Sequence, residues 1–119
     1  MVKKEAVVVD DCGVSRGLMV NFLERLNFKT HVFSGAIEAL DFLWTKNKKN
    51  IQLIVTDIMM EGMSGIEFME EIREHSPGIM IICISATPDI GEVCLKKGCD
   101  VFIPKPLSFK NVEEAISGR

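Results

Sequence analysis

Four short apolar runs in this chain each end in a residue that can do chemistry. Val7-Val8-Val9 leads into Asp10-Asp11, Leu53 to Thr56 into Asp57, Ile79 to Ile84 into Ser85, and Val101 to Ile103 through Pro104 into Lys105-Pro106. Taken singly, each has an ordinary structural explanation. An Asp or Ser after a strand forms a turn or caps a helix, and a Lys beside a Pro is a solvated loop charge. Taken together they are unusual. Three carboxylates gathered at about 4 Å in an effective dielectric near 20 repel by on the order of 4 kcal/mol per pair. A hard divalent cation relieves that repulsion, and oxygen ligands with room for water favour Mg²⁺. Lys105 adds a positive charge and Ser85 a hydroxyl donor. Cations and a donor around a carboxylate match the needs of a phosphoryl group.

These residues meet only if the fold brings the ends of the runs together. Five segments read as strands: Ala6–Val9, Lys29–Phe33, Leu53–Thr56, Ile79–Ile84 and Val101–Ile103. Four are apolar almost throughout, as strands buried on both faces of a parallel sheet are. The second, with Lys29, Thr30 and His31, is polar enough for an edge.

Helical periods lie between them. Val14 to about Leu26 puts Met19, Phe22, Leu23 and Leu26 on one face. After Ser34 come Ile37, Leu40 and Trp44, predicted to face the core. Ser64-Gly65-Ile66-Glu67 spells a capping box ahead of a helix with Ile66, Met69 and Ile72 inward, ended by Pro77-Gly78. Thr87-Pro88 is predicted to cap a fourth helix, closed by Lys96-Lys97-Gly98. A fifth starts near Ser108, with Phe109, Val112 and Ile116. Strict β–α alternation over one domain, 1–119, predicts an α/β fold: a doubly wound, flavodoxin-like parallel sheet of five strands in the order 2-1-3-4-5, with five helices. In such a sheet, ligands bind at the carboxyl ends where strand order reverses, here between strands 1 and 3.

Composition narrows the function classes. A 119-residue chain with 47% hydrophobic and 26% charged residues can bury a core without staples. Its net charge of −3 gives no reason to expect direct nucleic-acid binding or attraction to an anionic membrane. The longest apolar run, Ile79 to Ile84, is far too short to span a bilayer, and the N-terminus lacks the pattern of a signal peptide. Cys12, Cys83, Cys94 and Cys99 form no CxxC pair, and neither His31 nor His75 is near a cysteine in sequence. They read as reduced thiols of a cytoplasmic protein. Carboxylates beside Cys12 disfavour a reactive thiolate. Met59, Met60 and Met63 read as packing, and Lys46 to Lys49 as a solvated loop.

At the residues named, the chain resembles a response-regulator receiver domain of two-component signalling. The likeness spans essentially the whole chain. It rests on Val7-Val8-Val9-Asp10-Asp11, on Asp57-Ile58-Met59-Met60 with Gly65 eight residues after Asp57, and on Ser85-Ala86 and Lys105-Pro106. The resemblance implies that Asp57 is the phosphoacceptor. It implies that Asp11 binds Mg²⁺ directly and Asp10 through water, with Asp57 and the backbone carbonyl of Met59 as further ligands. Ser85 and Lys105 would hold phosphoryl oxygens, and Phe102 would be an aromatic switch moving with Ser85. The bond between Lys105 and Pro106 is commonly cis in the family. The implied donor is a sensor histidine kinase or a histidine phosphotransfer protein. The implied target is a downstream protein or an attached output domain, with the domain either monomeric or dimerising on phosphorylation. Such a domain assists its own Mg²⁺-dependent phosphorylation and dephosphorylation and is not otherwise an enzyme. Glu61 departs from the pattern, standing where a proline is usual.

Three rival readings have discriminating features. A receiver-like interaction module that ignores phosphate usually lacks an acidic-pair residue, the acceptor or the lysine, and all are present here. An aspartate-nucleophile phosphatase needs Asp-x-Asp after strand 1, where this chain has Asp10-Asp11-Cys12. A flavin carrier needs a Ser/Thr/Gly-rich phosphate loop there, and two acids would repel a phosphate.

Overall fold

The computed structural model describes residues 4–45 and 50–118. The basic stretch Lys46 to Lys49 lies outside them. Strand β1 (Lys4–Val9) is followed by α1 (Gly13–Arg25), β2 (Phe28–Phe33), α2 (Ala36–Thr45), β3 (Ile51–Asp57), α3 (Gly65–His75), β4 (Met80–Ser85), α4 (Gly91–Lys97), β5 (Val101–Pro104) and α5 (Phe109–Ser117). All strand pairs are parallel, and the sheet order is β2-β1-β3-β4-β5, as alternation predicts. The polar second strand is at an edge.

Alternation along each strand splits the core into two layers. Val7 and Val9 of β1 face α2, α3 and α4, packing with Ala39, Phe68, Met69, Ile72 and Cys94. Ala6 and Val8 face α1 and α5, packing with Met19, Phe22, Leu23 and Val112. β4 is buried along its whole length, which accounts for its uninterrupted Met-Ile-Ile-Cys-Ile run. Register brings the carboxyl ends level: Val9 is opposite Thr56, Asp57 opposite Ile84, and Ser85 opposite Pro104.

Three helical expectations need correction or refinement. In α2 the buried residues are Ala36, Ala39, Leu40 and Leu43, while Ile37 and Trp44 are exposed. Ala36 and Ala39 share the inward face with Leu40 and Leu43, and Trp44 is left outside, its ring against His75 with centroids 4.8 Å apart. The fourth helix does not start directly after Thr87. A 3₁₀ turn over Pro88–Ile90 precedes α4, and the Thr87 side chain makes no cap hydrogen bond. The third helix has the full capping box: the Ser64 side chain accepts from the Glu67 N–H, and the Glu67 side chain from the Ser64 N–H. Its buried face also includes Phe68.

Candidate functional site

The carboxyl ends of β1, β3 and β5 bring Asp10, Asp11, Asp57 and Lys105 together, and Ser85 ends β4 bonded to the Lys105 backbone. Asp10 leaves β1 with its backbone N–H still bonded to the Phe33 carbonyl of β2 (3.1 Å), so the acidic pair starts from a fixed point. Asp57 is the last residue of β3, and the Ile58 N–H continues the ladder to the Ile84 carbonyl (3.0 Å). Lys105 is placed by its own N–H, which donates to the Ser85 carbonyl (2.8 Å) across β4 and β5. The Lys105–Pro106 peptide bond is cis.

One ligand oxygen each from Asp10, Asp11 and Asp57 lie within 4.8 Å of one another. Asp10 and Asp57 are buried and Asp11 is exposed. Asp10 Oδ1 accepts from the Cys12 N–H (2.9 Å) and Asp57 Oδ1 from the Ile58 N–H (3.0 Å). Lys105 Nζ lies 3.2 Å from Asp10 Oδ2 and 3.7 Å from Asp57 Oδ1, bridging the two buried acids. Burial and then the Asp10 charge push the Asp57 carboxyl up from 3.8 to about 6, while Lys105 and the Ile58 N–H act in the opposite direction.

The residues present suit a hard divalent cation. Buried Asp10 Oδ2 accepts no aligned hydrogen bond despite its nearby lysine, which leaves lone pairs for a metal or its water. Every side-chain donor in the group is a carboxylate oxygen, the chemistry Mg²⁺ prefers.

Of the remaining predicted residues, Ser85 is tied to Lys105 through its carbonyl, while Met59 and Phe102 lie on the flanking loop and strand. Ser85 is fully buried, and its Oγ accepts from the Thr87 N–H (3.0 Å), leaving the hydroxyl hydrogen for another acceptor. Met59 follows β3 in the loop to α3 and is 61% exposed, whereas Met60 and Met63 pack against the core. Phe102 is half-buried on β5, with its ring against Gly91 at the start of α4. The Thr56 hydroxyl donates to the Asp57 carbonyl (2.9 Å). Arg16, which the sequence reading passed over, reaches back from α1 to the Asp10 carbonyl (2.8 Å). Its signal was a basic residue close to a helix N-terminus, where the helix dipole disfavours one.

Comparison with known proteins decides the family. The family model described as response regulator receiver domain matches residues 6–117. The chain belongs to that family.

Among curated relatives of this receiver domain, the heme response regulator HssR of Staphylococcus epidermidis is 32% identical over 108 residues, covering 89% of this chain and 46% of the relative. The receiver thus spans about half of that relative's length. The two-component response regulator ORR6 of Oryza sativa is 27% identical over 115 residues, covering 93% of this chain and 68% of the relative. Among solved structures, the response regulator TrrA of Thermotoga maritima, in complex with Mg²⁺-BeF, superposes with a TM-score of 0.85 at 26% identity, covering 97% of each chain. A receiver domain from Clostridium thermocellum shares the fold with a TM-score of 0.86 at 23% identity, covering 97% of this chain and 92% of that one. The five-strand order and the five helices are those of this CheY-like family.

Proposed function

We propose that this receiver is a phosphorylatable signalling switch in which Asp57 accepts a phosphoryl group. The observation that carries the reading is the buried Asp57 carboxylate, set among two more carboxylates and 3.7 Å from Lys105. A carboxylate is a weak nucleophile, so its gain must come from position and charge neutralisation. Asp57 Oδ1 is held by the Ile58 N–H, which fixes the rotation of the carboxylate. In the transfer, an Asp57 oxygen forms the new bond to phosphorus as the phosphorus–nitrogen bond of a phosphohistidine breaks. The donor is a sensor histidine kinase or a histidine phosphotransfer protein.

Asp10, Asp11, Asp57 and the Met59 backbone carbonyl would hold Mg²⁺, which neutralises charge on the phosphoryl oxygens when bound. Lys105 meets a second oxygen, and the Ser85 hydroxyl donates to a third. The Asp10 carboxylate, 3.2 Å from Lys105 Nζ, keeps that ammonium beside Asp57. As Ser85 shifts toward its new acceptor, Phe102 follows from its place on Gly91. The surface of α4, β5 and α5 then changes. That surface is read by a downstream protein or an attached output domain, by monomer or phosphorylation-dependent dimer, in the cytoplasm and without direct contact to nucleic acid or membrane. Catalysis is confined to the domain's own phosphorylation and dephosphorylation.

Beryllofluoride, a stand-in for the bound phosphoryl group, tests this directly. With Mg²⁺ it should raise the melting temperature of the wild type and not of Asp57→Asn. Equal response of both proteins would overturn the proposal. An alternative, an interaction module indifferent to phosphate, predicts no response in either.

A further inference from the structure

We infer that Arg16 is a positioning residue for the acidic pair: by holding the Asp10 carbonyl it shapes the β1–α1 loop so that Asp10 and Asp11 can bind the divalent cation together. This rests on the phosphoacceptor reading above.

The geometry accounts for every polar group of Asp10. Its N–H is tied to Phe33 of β2, its Oδ1 to the Cys12 N–H, and its Oδ2 faces Lys105. The remaining group, the carbonyl, accepts from the Arg16 guanidinium at 2.8 Å. A charged donor makes this bond roughly twice as strong as a neutral one. Asp11 has no such set of restraints. It is exposed, and its direction is inherited from Asp10 before it and Cys12 after it. Cys12, at the N-cap position, makes no side-chain cap hydrogen bond.

Arg16 also acts without neutralising the acids. Among the described residues its guanidinium forms no ion pair, and it curls over Gly13, with Nη2 3.7 Å from where a Gly13 Cβ would lie. A cation in the opening turns of a helix opposes the dipole, so its position is costly unless the carbonyl bond offsets it. Its influence on the metal centre therefore passes through the backbone, as the outer partners of metal ligands commonly act.

The test titrates Mg²⁺ by calorimetry into wild type, Arg16→Ala and Arg16→Lys without any phosphoryl donor. In parallel, labelling by phosphoramidate is measured at saturating Mg²⁺. Arg16→Ala should raise the half-saturating Mg²⁺ on the order of tenfold. Labelling of Asp57 at saturation should be nearly unchanged, and Arg16→Lys should recover most of the affinity. A loss of fold stability alone would lower the melting temperature and leave Mg²⁺ affinity in place, which overturns the inference. So does a failure of Lys to rescue. Should Arg16→Ala not fold, Arg16→Gln takes its place with the same two readouts. The two readings fail separately: a wild type that forms no Mg²⁺-dependent adduct at Asp57 defeats the phosphoacceptor reading. A wild type that does so, with Arg16 variants binding Mg²⁺ equally well, defeats only the role of Arg16.

Discussion

The backbone of Gly65 lies directly against the backbone of Asp57: a Cβ at Gly65 would stand 2.1 Å from the Asp57 carbonyl oxygen and 2.8 Å from the Ile58 Cα. The first residue of α3 is thus pressed onto the end of β3, and the Gly65 N–H donates to the Ile58 carbonyl (3.0 Å) to close the loop. The glycine eight residues after the acceptor is explained by this approach and not by turn conformation. Even alanine should displace Asp57, at a cost of about 3 kcal/mol by analogy with overpacked cores. Urea unfolding of Gly65→Ala, together with its rate of phosphoramidate labelling, checks this. A variant with native stability and native labelling would contradict it.

Asp57 should make the metal-free protein less stable at neutral pH. Its carboxyl is raised from 3.8 to about 6 by burial and by Asp10, so the folded state holds this proton more tightly than the unfolded chain does. The corresponding stability is fully present below the unfolded value and is lost as pH rises through about 6. In chelator-treated buffer, Asp57→Asn should remove this part of the pH dependence and exceed the wild type at neutral pH by on the order of 2 kcal/mol. Mg²⁺ should narrow the gap by stabilising the ionised wild type more than the variant, which has lost one of the carboxylate ligands. Urea titrations from pH 4 to pH 8 provide the comparison, and identical slopes for the two proteins would count against the strained carboxylate.

Dephosphorylation should be slow. Met59, two residues after Asp57, is 61% exposed, and its thioether, at best a weak acceptor, is poorly suited to orient an attacking water. Met59→Asn supplies a donor and an acceptor at that position and should speed acyl-phosphate decay several-fold in Mg²⁺. The half-life of purified phosphoprotein decides the matter. Rapid decay of the wild type, or no acceleration in the variant, is the adverse outcome.

Gly91 seats the Phe102 ring. A Cβ there would lie 2.9 Å from Phe102 Cδ2 and 3.2 Å from Cε2, so alanine must push the ring off its present position. Gly91→Ala should shift amide resonances along both α4 and β5 without any phosphoryl donor. Shifts limited to the immediate neighbours of the substitution would mean the ring is not coupled to the helix.

The meeting of Asp10, Asp57, Ser85 and Lys105 was legible because each follows an apolar run, and a parallel sheet places such ends side by side. Asp10, Asp57, Ser85 and Lys105 needed only the strand order, which alternation supplied. On α2, Leu40 is buried as predicted, but Ile37 and Trp44 were misread because their large side chains outweighed the small Ala36 and Ala39 that pack inward beside Leu40 and Leu43. The inward face mixes two alanines with two leucines, and side-chain size alone does not reveal which positions it takes. Thr87 misled in a similar way: its N–H is taken by the Ser85 hydroxyl, and a 3₁₀ turn separates it from α4. Arg16 acts through a backbone carbonyl six residues back, a contact that no side-chain periodicity encodes.

The most direct test of the central claim is intact mass after incubation with phosphoramidate or acetyl phosphate and Mg²⁺, beside Asp57→Asn and metal-free controls. The account predicts a single phosphoryl adduct on the wild type that disappears in both controls. No adduct with either donor, or an adduct that persists in Asp57→Asn, would contradict it.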